Sequence, residues 1–270
     1  MLFLITSYVK VNYIFTVIGY RLRDNKSNRT HFMKFLKSLF TIGALLALAG
    51  CGGGGGGSSA SNTETATSTT ASTATFPFRS AYQALVGQNE VNSFSISGTC
   101  TGSATETRSA ATAATFEGTP GVSTTTTLTG SYSNCTPASF AGTSISYYDT
   151  NYKPVGSEVP GTDYAVYNSS NDLPTSVKVG DTAQFAAVDV YSSSTKQVRN
   201  GTRVLSYTVE ADSSSTAIVN LIAKGYNASN QLLYTQQSRY RINTSGQLTA
   251  VSKDIQYSTT STSRMVWTKN

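Results

Sequence analysis

The sequence predicts an all-β chain: an antiparallel meander sheet or sheets, sandwich or barrel-like, preceded by one short helix. Three observations predict it. Apolar and polar residues alternate with period two through the last hundred residues, as in Leu205-Ser206-Tyr207-Thr208-Val209-Glu210, which is the pattern of half-buried antiparallel strands. The breaks between alternating runs are turn-formers, as in Asn227-Ala-Ser-Asn230 and Asn243-Thr-Ser-Gly246. Charged residues make up only 13% of the chain and aromatics 10%. Average globular proteins carry about 25% charge, and a Thr- and Tyr-rich replacement favours strands.

The elements follow in order. FRSAYQALV, from Phe78 to Val86, carries Ala81, Ala84 and Leu85 at helical spacing with Tyr82 beside them, and Gly87 ends the helix. Phe94, Ile96, Gly98 and Cys100 then alternate with polar residues, and 105–116, 123–132 and 144–148 are extended candidates. Pro154, Gly156, Pro160, Gly161 and Pro174 read as turns. A meander follows over 182–191, 196–199, 202–212, 216–226, 231–242, 247–257 and 264–268, with Asn200-Gly201 as a two-residue hairpin turn. Strands of ten residues oblige the sheet to twist and curl. Periodicity does not choose between barrel and sandwich. The reading divides the folded part into an N-terminal β subdomain, 76–173, and a meander subdomain, 174–270.

Upstream, Met33 to Cys51 reads MKFLKSLFTIGALLALAGC. Lys34 and Lys37 form a short basic region, Leu39 to Leu48 an apolar one, and small residues precede the cysteine. This is secretory signal architecture and too short for a comfortable membrane span. Leu48-Ala49-Gly50-Cys51 resembles the lipobox of bacterial lipoproteins. The resemblance implies cleavage before Cys51, a diacylglycerol on its thiol and, usually, an acyl chain on its amine; two or more chains make a lasting anchor. The competing reading, a buried helix ending in a core thiol, sits badly with six following glycines, each of which resists ordering. In that lipoprotein family an Asp after the cysteine tends to retain the protein in the inner membrane. Here the residue is Gly52, which points to the outer membrane, on its periplasmic face or at the cell surface. Residues 1–32 fit poorly as part of the leader and read as an upstream extension, with Met33 as the start; a membrane helix over Met1–Tyr20 is the alternative.

Residues 51–75 contain no large apolar residue, no proline and a single charge, Glu64. Such a segment does not bury enough surface to offset its ordering entropy. It reads as a tether of roughly 25–30 Å r.m.s. reach. With Cys51 lipidated, Cys100 and Cys135 are the remaining thiols, and an oxidising compartment predicts a disulfide between them.

The charge of +6 belongs to the leader, since 13 basic and 13 acidic residues remain after position 50. A neutral mature chain offers no electrostatic footprint for nucleic acid. The one histidine, His31, also lies in the leader. The mature chain therefore lacks Ser-His-Asp or Cys-His catalysis and the usual zinc and haem ligands, and the reading assigns it no catalytic residues, no metal and no cofactor. Ser193-Ser194-Thr195-Lys196 matches Ser-x-x-Lys without the Lys-Thr-Gly that accompanies it. Asp149, Glu158, Asp163 and Asp172 could supply a glycosidase pair, with solvated loop acids as the plainer reading. Asp149 and Asn151 could ligate calcium, although the EF-hand pattern is absent.

Tyr147, Tyr148, Tyr152, Tyr164 and Tyr167 fall within twenty-one residues. Exposed tyrosines make contact surfaces at low entropic cost, so these five are candidates for contact with an envelope protein or a glycan. The alternative is that they pack over the sheet. The expected function is that of a non-enzymatic, lipid-anchored envelope protein with a binding or structural role. The alternatives are a small-ligand or lipid-binding β-cup and, third, a carboxylate-based hydrolase.

Overall fold

The computed structural model describes residues 71–258 and 263–270. The leader, Cys51, His31 and the tether as far as residue 70 lie outside the described residues.

Thirteen strands and one helix form the described part: α1 (Phe78–Gly87), β1 (Glu90–Gly98), β2 (Gly102–Arg108), β3 (Thr112–Phe116), β4 (Thr119–Tyr132), β5 (Ser139–Asp149), β6 (Pro154–Val159), β7 (Asp163–Ser170), β8 (Thr182–Tyr191), β9 (Arg199–Ala211), β10 (Thr216–Asn227), β11 (Leu232–Asn243), β12 (Leu248–Tyr257) and β13 (Arg264–Lys269). Every pairing is antiparallel, and nearly every strand pairs with its sequence neighbours. Two pairings complete the ring. β1 lies against β13, and β2 against the second half of β4. The result is a closed twelve-stranded β-barrel.

β3 is the exception to the ring. It continues β2 upward after an irregular step at Ser109–Ala111 and pairs with the first half of β4. Phe116 pairs with Thr119 across Glu117 and Gly118, whose φ angles of 49° and 80° are both positive, as in a two-residue type I′ turn. The tip folds over the outer face of the barrel. Phe116 stacks on Tyr147 and Tyr164, with ring centroids 4.7 and 5.3 Å apart. Gly156 provides the clearance, since a methyl there would overlap the Phe116 ring.

The alternation read from the sequence sorts the barrel wall into two faces. In β9, Arg203, Leu205, Tyr207 and Val209 are buried while the residues between them are partly exposed. Outward positions on β2, β4, β9 and β11 are Ser, Thr, Gln, Glu and Arg in the main, including Thr125, Thr127, Thr129, Thr208 and Arg239. A lipid-facing barrel would carry an apolar band there.

Inside, α1 occupies one mouth. Its side chains meet walls on different sides: Phe78 faces Tyr207 of β9 at 5.5 Å, Tyr82 meets Tyr148 of β5 edge-on at 6.4 Å, and Arg108 of β2 donates to the Leu85 carbonyl. Phe76 fixes the chain's entrance by a pair of backbone hydrogen bonds with Val177. The main apolar cluster surrounds this helix. A smaller one, Phe94, Ile96, Ala104, Leu128, Met265 and Trp267, fills the far end. Along β1, β2, β4 and β12 the inward residues between the clusters are polar and buried: Asn92, Glu106, Thr124, Thr126 and Lys253.

Four expectations are corrected. The boundary at 173/174 is not structural, because β7 pairs with β8 and β1 with β13, so both stretches build one barrel. Asn200-Gly201 is not a turn but lies inside β9, where Gly201 runs so close to the Tyr226 carbonyl that a Cβ would collide. The chain reverses over 192–198 instead, where Ser192 N–H donates to the Val198 carbonyl. The stretch read as turns contains β6 and β7, with Pro154 at a strand start and only Pro160-Gly161 in the reversal. Order also begins before Phe76, since Ser72 is buried and Ala74 packs on the core.

Candidate functional site

Cys100 and Cys135 are bridged, with Cα atoms 5.7 Å apart. The bridge joins the β1–β2 loop to the β4–β5 loop at the end of the barrel opposite α1. Thr101 and Asn134 reinforce it, the Asn134 carboxamide oxygen accepting the Thr101 N–H at 2.7 Å.

The five tyrosines do not share one surface. Tyr148 points into the lumen, and burial raises its pKa. Tyr167 is inward on β7 and held well above the ordinary tyrosine value by burial. Tyr147 and Tyr164 face outward but lie beneath the Phe116 tip. Tyr147 donates to Glu158 at 2.9 Å, and burial followed by that carboxylate pushes its pKa up to about 12. Tyr164 donates to Glu117 at 2.6 Å. Tyr152, with a positive φ of 62°, stands at the mouth beside α1.

The acids are also dispersed. Asp163 is buried in the lumen against Arg203, whereas Glu158 lies on the outer face, so the barrel wall separates them. Burial opposes the charge on Arg203, and the Asp163 carboxylate together with Tyr234 and Tyr167 offsets it, leaving the guanidinium pKa raised. Asp149 accepts the N–H groups of Asn151 and Lys153 at 2.8 and 2.9 Å and so shapes the β5–β6 turn. Lys196 is engaged by Glu117 at 2.5 Å, while the Ser193 hydroxyl meets Thr195. Among the described residues no group of three or more His, Cys, Asp or Glu side chains could hold a metal ion.

Among the described residues, two clefts open at the mouth that holds α1, a region to which no sequence motif points. One cleft of about 340 Å³ lies between α1 and the β11–β12 loop, with Glu90 and Arg108 at its floor, 2.7 Å apart. A second, of about 240 Å³, lies between α1, the β5–β6 turn and the β7–β8 loop. Arg79, Tyr82 and Gln83 face it from α1, three and four residues apart and therefore on one helical face. Arg79 Nε donates to the Leu173 carbonyl at 2.6 Å, and the Gln83 amide to the Asn151 carbonyl at 3.0 Å. Tyr82 forms the inner wall, its phenol held well above its ordinary pKa, first by burial and then by neighbouring Tyr148. These contacts tie the helix to two loops. The sequence carried one signal for this site, the i, i+3, i+4 spacing of Arg79, Tyr82 and Gln83. Their loop partners come from 68 and 94 residues downstream, which no local pattern reveals.

Comparison with protein-family models, with curated proteins and with solved structures returns no match; the functional reading therefore follows from the barrel, its plugged mouth and the clefts beside α1.

Proposed function

We propose that this is a non-enzymatic, lipid-anchored protein of the bacterial cell envelope whose working end is the barrel mouth occupied by α1. The observation that carries the reading is the path of the chain. The segment after Cys51 leads through Phe76 directly into α1, and α1 forms a wall of both clefts. The polar outer face supports a domain standing in water on its tether, and the lipobox resemblance supports attachment through Cys51. Asp163 and Glu158 lie on opposite sides of the barrel wall, and Asp149 is taken up by the backbone N–H groups of its own turn, which disfavours the hydrolase reading.

Cells expressing wild type and Cys51→Ala, fed labelled palmitate and then fractionated, test the anchor. Wild type is expected to carry label and to sediment with the outer membrane, and Cys51→Ala to lose both. Unlabelled wild type in the soluble fraction would overturn the proposal.

A further inference from the structure

We infer that the cleft between Arg79 and Lys153 binds a small oxyanion, a carboxylate or phosphate group on a short apolar stem. Two cations face this cleft, with a single carboxylate, Asp172, between them. Arg79 Nη2 is 3.8 Å from Asp172, and Lys153 Nζ is 4.0 Å from it. Both separations exceed hydrogen-bonding distance. Asp172 itself is 62% exposed on the rim, where such pairs contribute little. The Lys153 ammonium makes no hydrogen bond within the described residues, and the side chains that line the cleft carry two positive charges against one negative, the Asp149 carboxylate of the same turn being taken up by the Asn151 and Lys153 N–H groups.

Both cations are held in position. Arg79 is aimed by its bond to Leu173, and Lys153 is presented by a turn that Asp149 closes on itself. Tyr82, Tyr152, Pro154 and Leu173 supply apolar walls. A cleft of about 240 Å³ falls below the ~300–1,000 Å³ of drug-sized sites, which sets the ligand's size. The larger cleft lacks this imbalance, because Arg108 at its floor is matched by Glu90. An anion bridging Arg79 and Lys153 would join α1 to the β5–β6 turn and secure the helix in the mouth.

This inference deepens the proposed function by naming what the mouth takes. Fractionation tests the anchor and calorimetry the cleft, so either can fail alone. The full chain, purified in detergent, is titrated with benzoate and with phenyl phosphate at low salt. Saturable binding that weakens as salt screens the charges is expected. Arg79→Gln and Lys153→Gln should each weaken it roughly tenfold. Asp172→Asn, which removes the competing carboxylate, should tighten it about three- to fivefold, a gain that damage to the fold would not produce. Displacement of phenyl phosphate by phosphatidylglycerol vesicles, but not by phosphatidylcholine vesicles, would assign the anion to a lipid headgroup. Failure of both vesicles to displace it would assign the site to a soluble anion. Absence of saturable binding in wild type and Asp172→Asn alike, or binding unchanged in Lys153→Gln, overturns the inference.

Discussion

Lys253 is 2% exposed, its ammonium 2.6 Å from Glu106 and 4.5 Å above the Phe94 ring. Burial lowers its pKa, and the Glu106 carboxylate opposes that shift. Desolvating both partners makes such a pair a poor net source of stability, whereas orphaning one partner is expensive. Lys253→Met is therefore expected to destabilise the barrel by about 3–5 kcal/mol, and Lys253→Met with Glu106→Leu to regain most of that loss. Denaturant titrations of the three proteins check it; equal losses in the single and double variants would refute the coupling. Lys253 shares an inward face with Ile255 and Tyr257, so a lysine in an apolar register was visible in the sequence. Its partner was not, because Glu106 lies 147 residues away, and only barrel closure brings β2 and β12 to the same lumen.

Among the elements, the β3–β4 hairpin shows where sequence reasoning succeeds and where it stops. The helix and the last four strands lie within a residue or two of the positions that periodicity assigns, because each element's inward stripe is written in its own residues. Gly156 and Gly201 misled the same reasoning. Both carry a turn signal in the sequence, yet each sits in a strand to admit a neighbour, the Phe116 ring in one case and the Tyr226 backbone in the other. A glycine required by a distant group looks locally like one required by a bend. The hairpin tip is held by Glu117, whose carboxyl pKa is lowered first by its hydrogen bond from Lys196 and then by that from Tyr164. A carboxyl depressed in the folded state contributes stability above its unfolded value, near 4.5, and loses it as pH falls through the lower folded value. Near-ultraviolet dichroism of the stacked Tyr147 and Tyr164 should thus fade on acidification below about pH 4.5 in wild type. Glu117→Gln should start from a weaker signal with little acid dependence. A wild-type signal indifferent to acid would remove Glu117 from this role.

At the scale of the whole molecule, α1 closes one end of the barrel and the disulfide cross-links the other. The bridge spans 35 residues, for which loop-closure entropy gives about 3–4 kcal/mol. The Cys100→Ser, Cys135→Ser double variant is expected to lose up to that amount in reversible unfolding while keeping its far-ultraviolet spectrum; an unchanged melting temperature would show that the loops are fixed without it. The β1–β13 seam has a different consequence, in time rather than in energy. Ser97 meets Val266 across a sequence separation of 169 residues, so the ring stays open until the last strand arrives. Neighbouring hairpins can form as the chain emerges, but closure waits for that long-range pairing, whose loop entropy must be met before any contact rewards it. Until then the chain is an open sheet with two unpaired edges, β1 and β12, and β13 is the strand that ends their exposure to other chains.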